Sequence, residues 1–202
     1  MLFPDFFDQA PVITMHDGLA ELLGAVDGGI MEYRYVDAVR LAGHSCPTVA
    51  AAFLMTRAAL KALYEDATPE RGEVHVAFRE READGVAGVM ANVAGLITGA
   101  AQAGGFKGLG GHYVRRDLLD FGAPVECEIR FTRSDNGKAV GVSAYTDRVP
   151  ADPRTFKLLR SCVAGEADRD SIAEFRSLWQ DRVRRLLLDY ADDPKVISAV
   201  YI

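Results

Sequence analysis

Cysteine, histidine and tryptophan are scarce in this chain, at three, four and one among 202 residues. Cys46, Cys127 and Cys162 are an odd and widely spaced set, which excludes a disulfide framework. No Cys-x-x-Cys pair occurs, so a zinc-ribbon tail is excluded too, and Cys46 has no resolving thiol nearby in sequence. A basic-then-apolar leader is missing from the first residues, and with the sparse thiols this sets the expectation of a reducing, cytoplasmic setting. An excess of basic residues is missing as well: 23 Lys and Arg stand against 29 Asp and Glu, a net charge of -6. That balance argues against general binding to nucleic acid or to an anionic membrane, either of which needs a basic face. The run Arg182-Val183-Arg184-Arg185 reads as a solvated helix face. Long apolar runs are limited to residues 86–103, which carry no charge but are mostly small, with Asn92 and Gln102 inside. The transfer energy of such a segment is poor, and it reads as a buried helix rather than a bilayer span.

What remains is ordinary globular material, 49% hydrophobic and 26% charged. The length suits one sizeable domain with an appended element, or two small domains. The Phe- and Pro-rich first fifteen residues suggest an extended arm. A helix is expected after Thr14, with Leu19, Leu22, Leu23 and Val26 on one side and Gly28-Gly29 ending it. His16 then falls near its start. A short strand over 30–36, a helical turn over 37–43 and a long helix from Pro47 to Tyr64 follow. Val49 to Met55 are apolar on every side of that helix, so its first half should be buried and its second half exposed. Val74, Val76 and Phe78 alternate with polar residues as a strand with one wet face, which carries His75.

Ala87, Ala91, Gly95 and Gly99 recur every four residues, a small-residue stripe fit for close backbone packing. A glycine-rich loop over 104–111 leads to expected strands at 112–121, 125–132 and 139–145, the last two joined by a turn at Asp135-Asn136-Gly137. Cys127 is expected as a core thiol on its strand, and Cys162 as helix packing. After Val149 two helices form a hairpin, one started by Asp152-Pro153 and stopped by Gly165, the other opened by a Ser171–Glu174 capping box, with Leu178 and Trp179 among its apolar positions.

The chemistry concentrates in Gly43-His44-Ser45-Cys46-Pro47-Thr48. Pro47 fits the first helical position, which puts Cys46 at or beside the N-cap, where the positive end of the helix dipole eases thiol ionisation. His44 and Cys46 are soft, metal-competent ligands two residues apart. His16, near another helix start, offers a third nitrogen, and three protein ligands with an open position is the common form of a catalytic zinc site. His112 either completes a closed four-ligand set or is a strand residue; His75 reads as a surface histidine. Asp37 and Arg40 precede the motif by one or two helical turns, and Asp37 either orients the imidazole or pairs with Arg40. Lys107, held on the glycine-rich loop, is a ligand-contact candidate, although the loop fits neither the dinucleotide fingerprint nor the P-loop.

The segment Gly43-His44-Ser45-Cys46-Pro47, followed by an Ala-rich helix, resembles the Gly-His-x-Cys-Pro-Gly segment of the FmdE-like family of formylmethanofuran dehydrogenase subunits. Residues 99–111 resemble that family's glycine-rich, Lys-containing segment. The likeness covers roughly residues 14–148. Thr48 stands where the family usually has glycine, and the family's later cysteine is missing near 101–105. The resemblance implies an α+β core of helices on a mixed sheet, a homodimer, and a metal at the motif's His and Cys, zinc or another transition metal such as nickel. The expectation is therefore an α+β core over 1–149 with a C-terminal helical hairpin over 150–202. Its metal ligands would be His16, His44 and Cys46, and Cys46, Asp37 and Lys107 would act on a small one-carbon or acyl substrate. The alternative is a non-catalytic accessory subunit of a larger redox or molybdopterin enzyme, and metal-free thiol chemistry at Cys46 ranks last.

Overall fold

A computed structural model describes residues 3–202 and shows an α+β protein with six helices, a five-stranded mixed sheet and a small two-stranded antiparallel sheet. The small sheet pairs β1 (Ile13–His16) with β2 (Ile30–Tyr33), flanking the short α1 (Gly18–Leu22). Helix α2 (Tyr35–Ala42) leads through Gly43 into α3 (Pro47–Tyr64). Then come β3 (Val74–Phe78), α4 (Ala87–Thr98), the two-residue β4 (Leu119–Asp120), β5 (Ile129–Arg133) and β6 (Ala139–Ala144). Helices α5 (Thr155–Val163) and α6 (Arg169–Arg184) form the hairpin, and β7 (Ile197–Tyr201) closes the chain.

The large sheet has the order β4-β3-β5-β6-β7, parallel only between β3 and β4. Its register sets Val76 opposite Phe131 and Phe131 opposite Val140, so the apolar positions of three strands form one continuous inner face. Helix α3 lies on that face. Phe53, Leu54 and Met55 are fully buried, as its all-round apolar first half predicts, and the second half, expected to be exposed, also buries Leu60 and Leu63 while Lys61 stays exposed. Each such side chain contributes roughly 1.5–3 kcal/mol through removal from water, so α3 and the sheet together hold most of the core.

Where sequence and structure differ, tertiary pairing is the reason. Thr14 and His16 belong to β1, because pairing with β2 captures the segment, and α1 begins only after Asp17 caps it from Leu19 and Ala20. Leu22 and Leu23, expected on a buried side, are exposed. The Phe-rich arm is not simply extended: it makes a helical turn at Asp5–Phe7 and buries Phe7 edge-on against Tyr35, ring centroids 5.0 Å apart. Met1 and Leu2 lie outside the described residues. The expected strand over 112–121 shrinks to β4, since the glycine-rich stretch before it folds back as a loop. Cys127 is half-buried rather than central, its thiol lying over Gly141.

The C-terminal hairpin is present but does not end the chain. Helix α6 starts one turn earlier than the Ser171 box suggests, with Asp168 accepting from Ser171 N–H. Beyond it, β7 pairs along five residues with β6, which ties the extension into the same sheet as the core. Arg182 does not point to solvent as a free face would; it donates to the carbonyls of Val149 and Thr146, while Val183 is fully buried. No helix among the described residues is long and apolar enough to cross a membrane.

Candidate functional site

The Gly43–Thr48 turn is built as its residues dictate. Gly43 ends α2 in the left-handed region (φ 75°), where a side chain would be strained, and its N–H returns to Val39 O. Cys46 is the N-cap of α3 in an extended conformation, and Pro47 follows at the first helical position. The Cys46 sulfur accepts from Val49 N–H at 3.5 Å, so the thiol faces the free amides of the helix start while its body is buried in the core.

His44 is exposed and lies in a shallow groove of about 150 Å³ between the end of α2 and the middle of α4, with Leu41, Ala42, Val89, Asn92 and Val93. Its Nδ1 lies 2.9 Å from the Ala42 carbonyl. A carbonyl only accepts, so Nδ1 donates to it, and Nε2 has no hydrogen-bond partner among the described residues. An imidazole with Nδ1–H on a backbone carbonyl is the arrangement common among metal-bound histidines. Asn92 also lines a larger cleft of about 350 Å³ beside Arg71, Glu82, Gly95, Gly99 and Gln102, so the two concavities meet along α4. The small-residue stripe forms one wall of this cleft. At Gly95 a side chain would come within 2.8 Å of the Ala100 carbonyl, the close backbone approach expected of it.

Ser45, the residue between the two soft ligands, is held from three directions. Its hydroxyl accepts from the Tyr35 hydroxyl (3.0 Å) and donates to Gln180 Oε1 (3.0 Å), and its carbonyl accepts from Trp179 Nε1 (3.0 Å). Burial pushes the Tyr35 hydroxyl well above its usual range, so it stays a donor. The C-terminal hairpin thus fixes the motif turn through α6. Sequence reasoning missed Tyr35, Gln180 and Asn92, and the helical spacing of Trp179 speaks only of packing. The only signal was the solitary Trp close to a Gln on a helix otherwise rich in charge.

His16 is placed elsewhere. Its Nδ1 is 2.7 Å from Glu70 and its Nε2 3.1 Å from Glu21. With carboxylates on both nitrogens, which can only accept, both nitrogens donate and the ring is a cation with no lone pair for a metal. The hydrogen bonds from Glu70 and Glu21 raise its pKa above the ordinary value, against a smaller effect of burial. Next to it, Asp17 is 4% exposed and pairs with Arg71 (2.9 Å) and with the buried Arg115 (2.8 Å). Burial pushes the Asp17 carboxyl up, but the Arg71 hydrogen bond, the Ala20 N–H and the two guanidinium charges outweigh it and hold it below the usual range. Arg71 also donates to the carbonyls of Leu96 and Ile97, capping the end of α4. Gly72 (φ 88°) has no side chain because one would overlap the Arg115 guanidinium.

The other candidates are engaged locally or stand apart. Asp37 accepts from Arg34 N–H (2.9 Å) at the first turn of α2 and pairs with Arg40 (3.1 Å), so the group orienting His44 is the Ala42 carbonyl and not this carboxylate. Lys107 is exposed on the glycine-rich loop. His112 is in that loop, bridged to Leu109, and His75 pairs with Asp120 at 2.9 Å on the outer face of the sheet.

Of the three expected metal donors, His44 opens to the groove, Cys46 is buried at the start of α3 and does not line that groove, and His16 is held by two glutamates elsewhere. Among the described residues no three or more His, Cys, Asp or Glu side chains gather into a metal-holding group. Compared with known proteins, the chain matches no family model, and no curated protein matches it either.

Proposed function

We propose that this chain is an FmdE-like metal-binding protein whose working site is the turn between α2 and α3. The observation that supports the reading is the His44 ring, fixed by a backbone carbonyl so that Nε2 is free, two residues from a cysteine at a helix N-cap. His44 and Cys46 are the ligands from this chain, for zinc or another transition metal such as nickel, with the other positions left to a small one-carbon or acyl substrate or to a second molecule. The metal's contribution there is Lewis-acid polarisation of a substrate oxygen or activation of water. The chain's own residues do the rest. Ala42 orients the imidazole, Asn92 offers an amide to a ligand in the groove, and Trp179, Gln180 and Tyr35 hold Ser45, the residue between His44 and Cys46, in place. Asp37 serves the fold of α2, and Lys107 is left as a substrate contact on its loop.

The test is metal analysis of the purified protein after reconstitution with zinc or nickel. Stoichiometric metal is expected, lost in His44→Ala and Cys46→Ser and kept in His16→Gln. Absence of bound metal in the parent protein would overturn the reading.

A second reading rests on the rim of the groove, where Leu41 and Val89 are exposed apolar residues beside His44. Here the groove is covered by a protein, a second copy of this chain or a larger redox enzyme to which it is an accessory subunit in the cytoplasm. Leu41→Asp then dissociates the assembly in sedimentation analysis; a parent protein that is monomeric and purifies alone removes this reading.

A further inference from the structure

On the other side of α4 from His44, a cavity of about 170 Å³ opens between the first turn of α3, the start of α4 and the end of the β5–β6 ladder. Ala51, Phe78, Val86, Ala87, Met90 and Ile129 make it apolar. Its polar lining is Thr48, Thr146, Glu80 and Glu128, with no lysine, arginine or histidine. Glu128 is half-buried and held in place: its backbone N–H donates to Ser143 Oγ (3.2 Å), and one carboxylate oxygen accepts from Ala144 N–H (3.2 Å). Burial pushes this carboxyl above its ordinary range, against that N–H bond and the charge of Arg79. Glu80 stands exposed at the rim. Neither carboxylate belongs to an ion pair among the described residues, unlike Asp17, Glu21, Glu70, Asp120 or Asp192.

An apolar chamber lined with carboxylates and no basic side chain favours a ligand that brings its own positive charge and an apolar body. Its volume is close to that of a cavity known to admit a benzene-sized guest, roughly 150 Å³. We propose that this cavity binds a small organic cation, a primary or secondary alkylammonium of about five or six heavy atoms. Its N–H groups would donate to Glu128 and Glu80, with the Thr48 and Thr146 hydroxyls as further acceptors, and its alkyl part would lie on Phe78 and Met90. The cavity shares no lining residue with the His44 groove, so it stands or falls independently of the metal reading.

The experiment is calorimetric titration of the full chain with butylammonium chloride, alongside sodium butyrate, butanol and magnesium chloride at equal ionic strength. Saturable binding of butylammonium alone is expected. Glu128→Gln should weaken it by roughly tenfold or more, the loss of one charge-assisted hydrogen bond. Glu80→Gln, at the exposed rim, should weaken it less and serves as the second variant if Glu128→Gln is found by circular dichroism to be unfolded. The proposal is overturned if butylammonium does not saturate, if butyrate or magnesium binds as well, or if both variants bind like the parent.

Discussion

At the start of α1 the polar side chains are paired on every side, whereas at the start of α3 two of them keep a free end. His16 has a carboxylate on each nitrogen, Asp17 takes two arginines and two backbone amides, and Arg71 spans Asp17 and the carbonyls of α4. His44 has one nitrogen on a carbonyl and the other open to a groove, and Cys46 accepts a single weak N–H bond. The first region shows what a buried charge needs to be stable, namely enough opposite charge and hydrogen bonds to offset desolvation. The second shows side chains oriented by one bond and left with a free end, which is what a ligand requires and what a purely structural histidine rarely keeps. Both regions look alike in sequence, each a histidine near a helix start.

The comparison can be broken most severely at Asp17. Asp17→Ala leaves Arg115 and Arg71 facing each other without a counter-charge and uncaps α1, and a loss of about 3–5 kcal/mol is expected in denaturant unfolding. A change under about 1 kcal/mol would show that the pairing is ornamental. By contrast His44→Ala and Cys46→Ser should each leave the unfolding midpoint almost unmoved while lowering zinc affinity by roughly a hundredfold, equivalent to about 2.7 kcal/mol. Competition with a chromogenic chelator measures it. If these two variants unfold like Asp17→Ala, the α3 turn is structural after all.

Trp179→Phe keeps the ring but removes the N–H to Ser45 O, and about 1 kcal/mol of stability should go with it. Zinc affinity should fall in the same variant if α6 positions the turn; unchanged affinity would confine the hairpin to packing. The smallest effect concerns pH. The raised pKa of His16 means the ion pairs with Glu70 and Glu21 stabilise the fold fully below its unfolded value, about 6.5, and that this contribution is lost as pH rises through the higher folded value. Because the carboxylates are half exposed, a few tenths of a kcal/mol are at stake. His16→Gln should flatten that slope in unfolding curves taken from about pH 6 to 9. Asp17, held low, acts oppositely and lends its stability above the ordinary carboxylate range, losing it as pH falls through the lower folded value.

Local chemistry alone determined the α2–α3 turn, the limits of α3 and the buried character of its first half, since Gly43, Pro47 and an unbroken apolar run leave the backbone few options. The alternation of β3 and the Asp135-Asn136-Gly137 turn before β6 were legible for the same reason. Tertiary structure alone decided that Thr14–His16 is a strand, that Ile197–Tyr201 completes the large sheet, and that His16 joins two glutamates 5 and 54 residues away rather than Cys46. Strand pairing and ion pairing depend on partners distant along the chain. A window of sequence contains the donors of such bonds but not the acceptors, so their fate is set only when α3 has drawn the sheet, the arm and the hairpin around it.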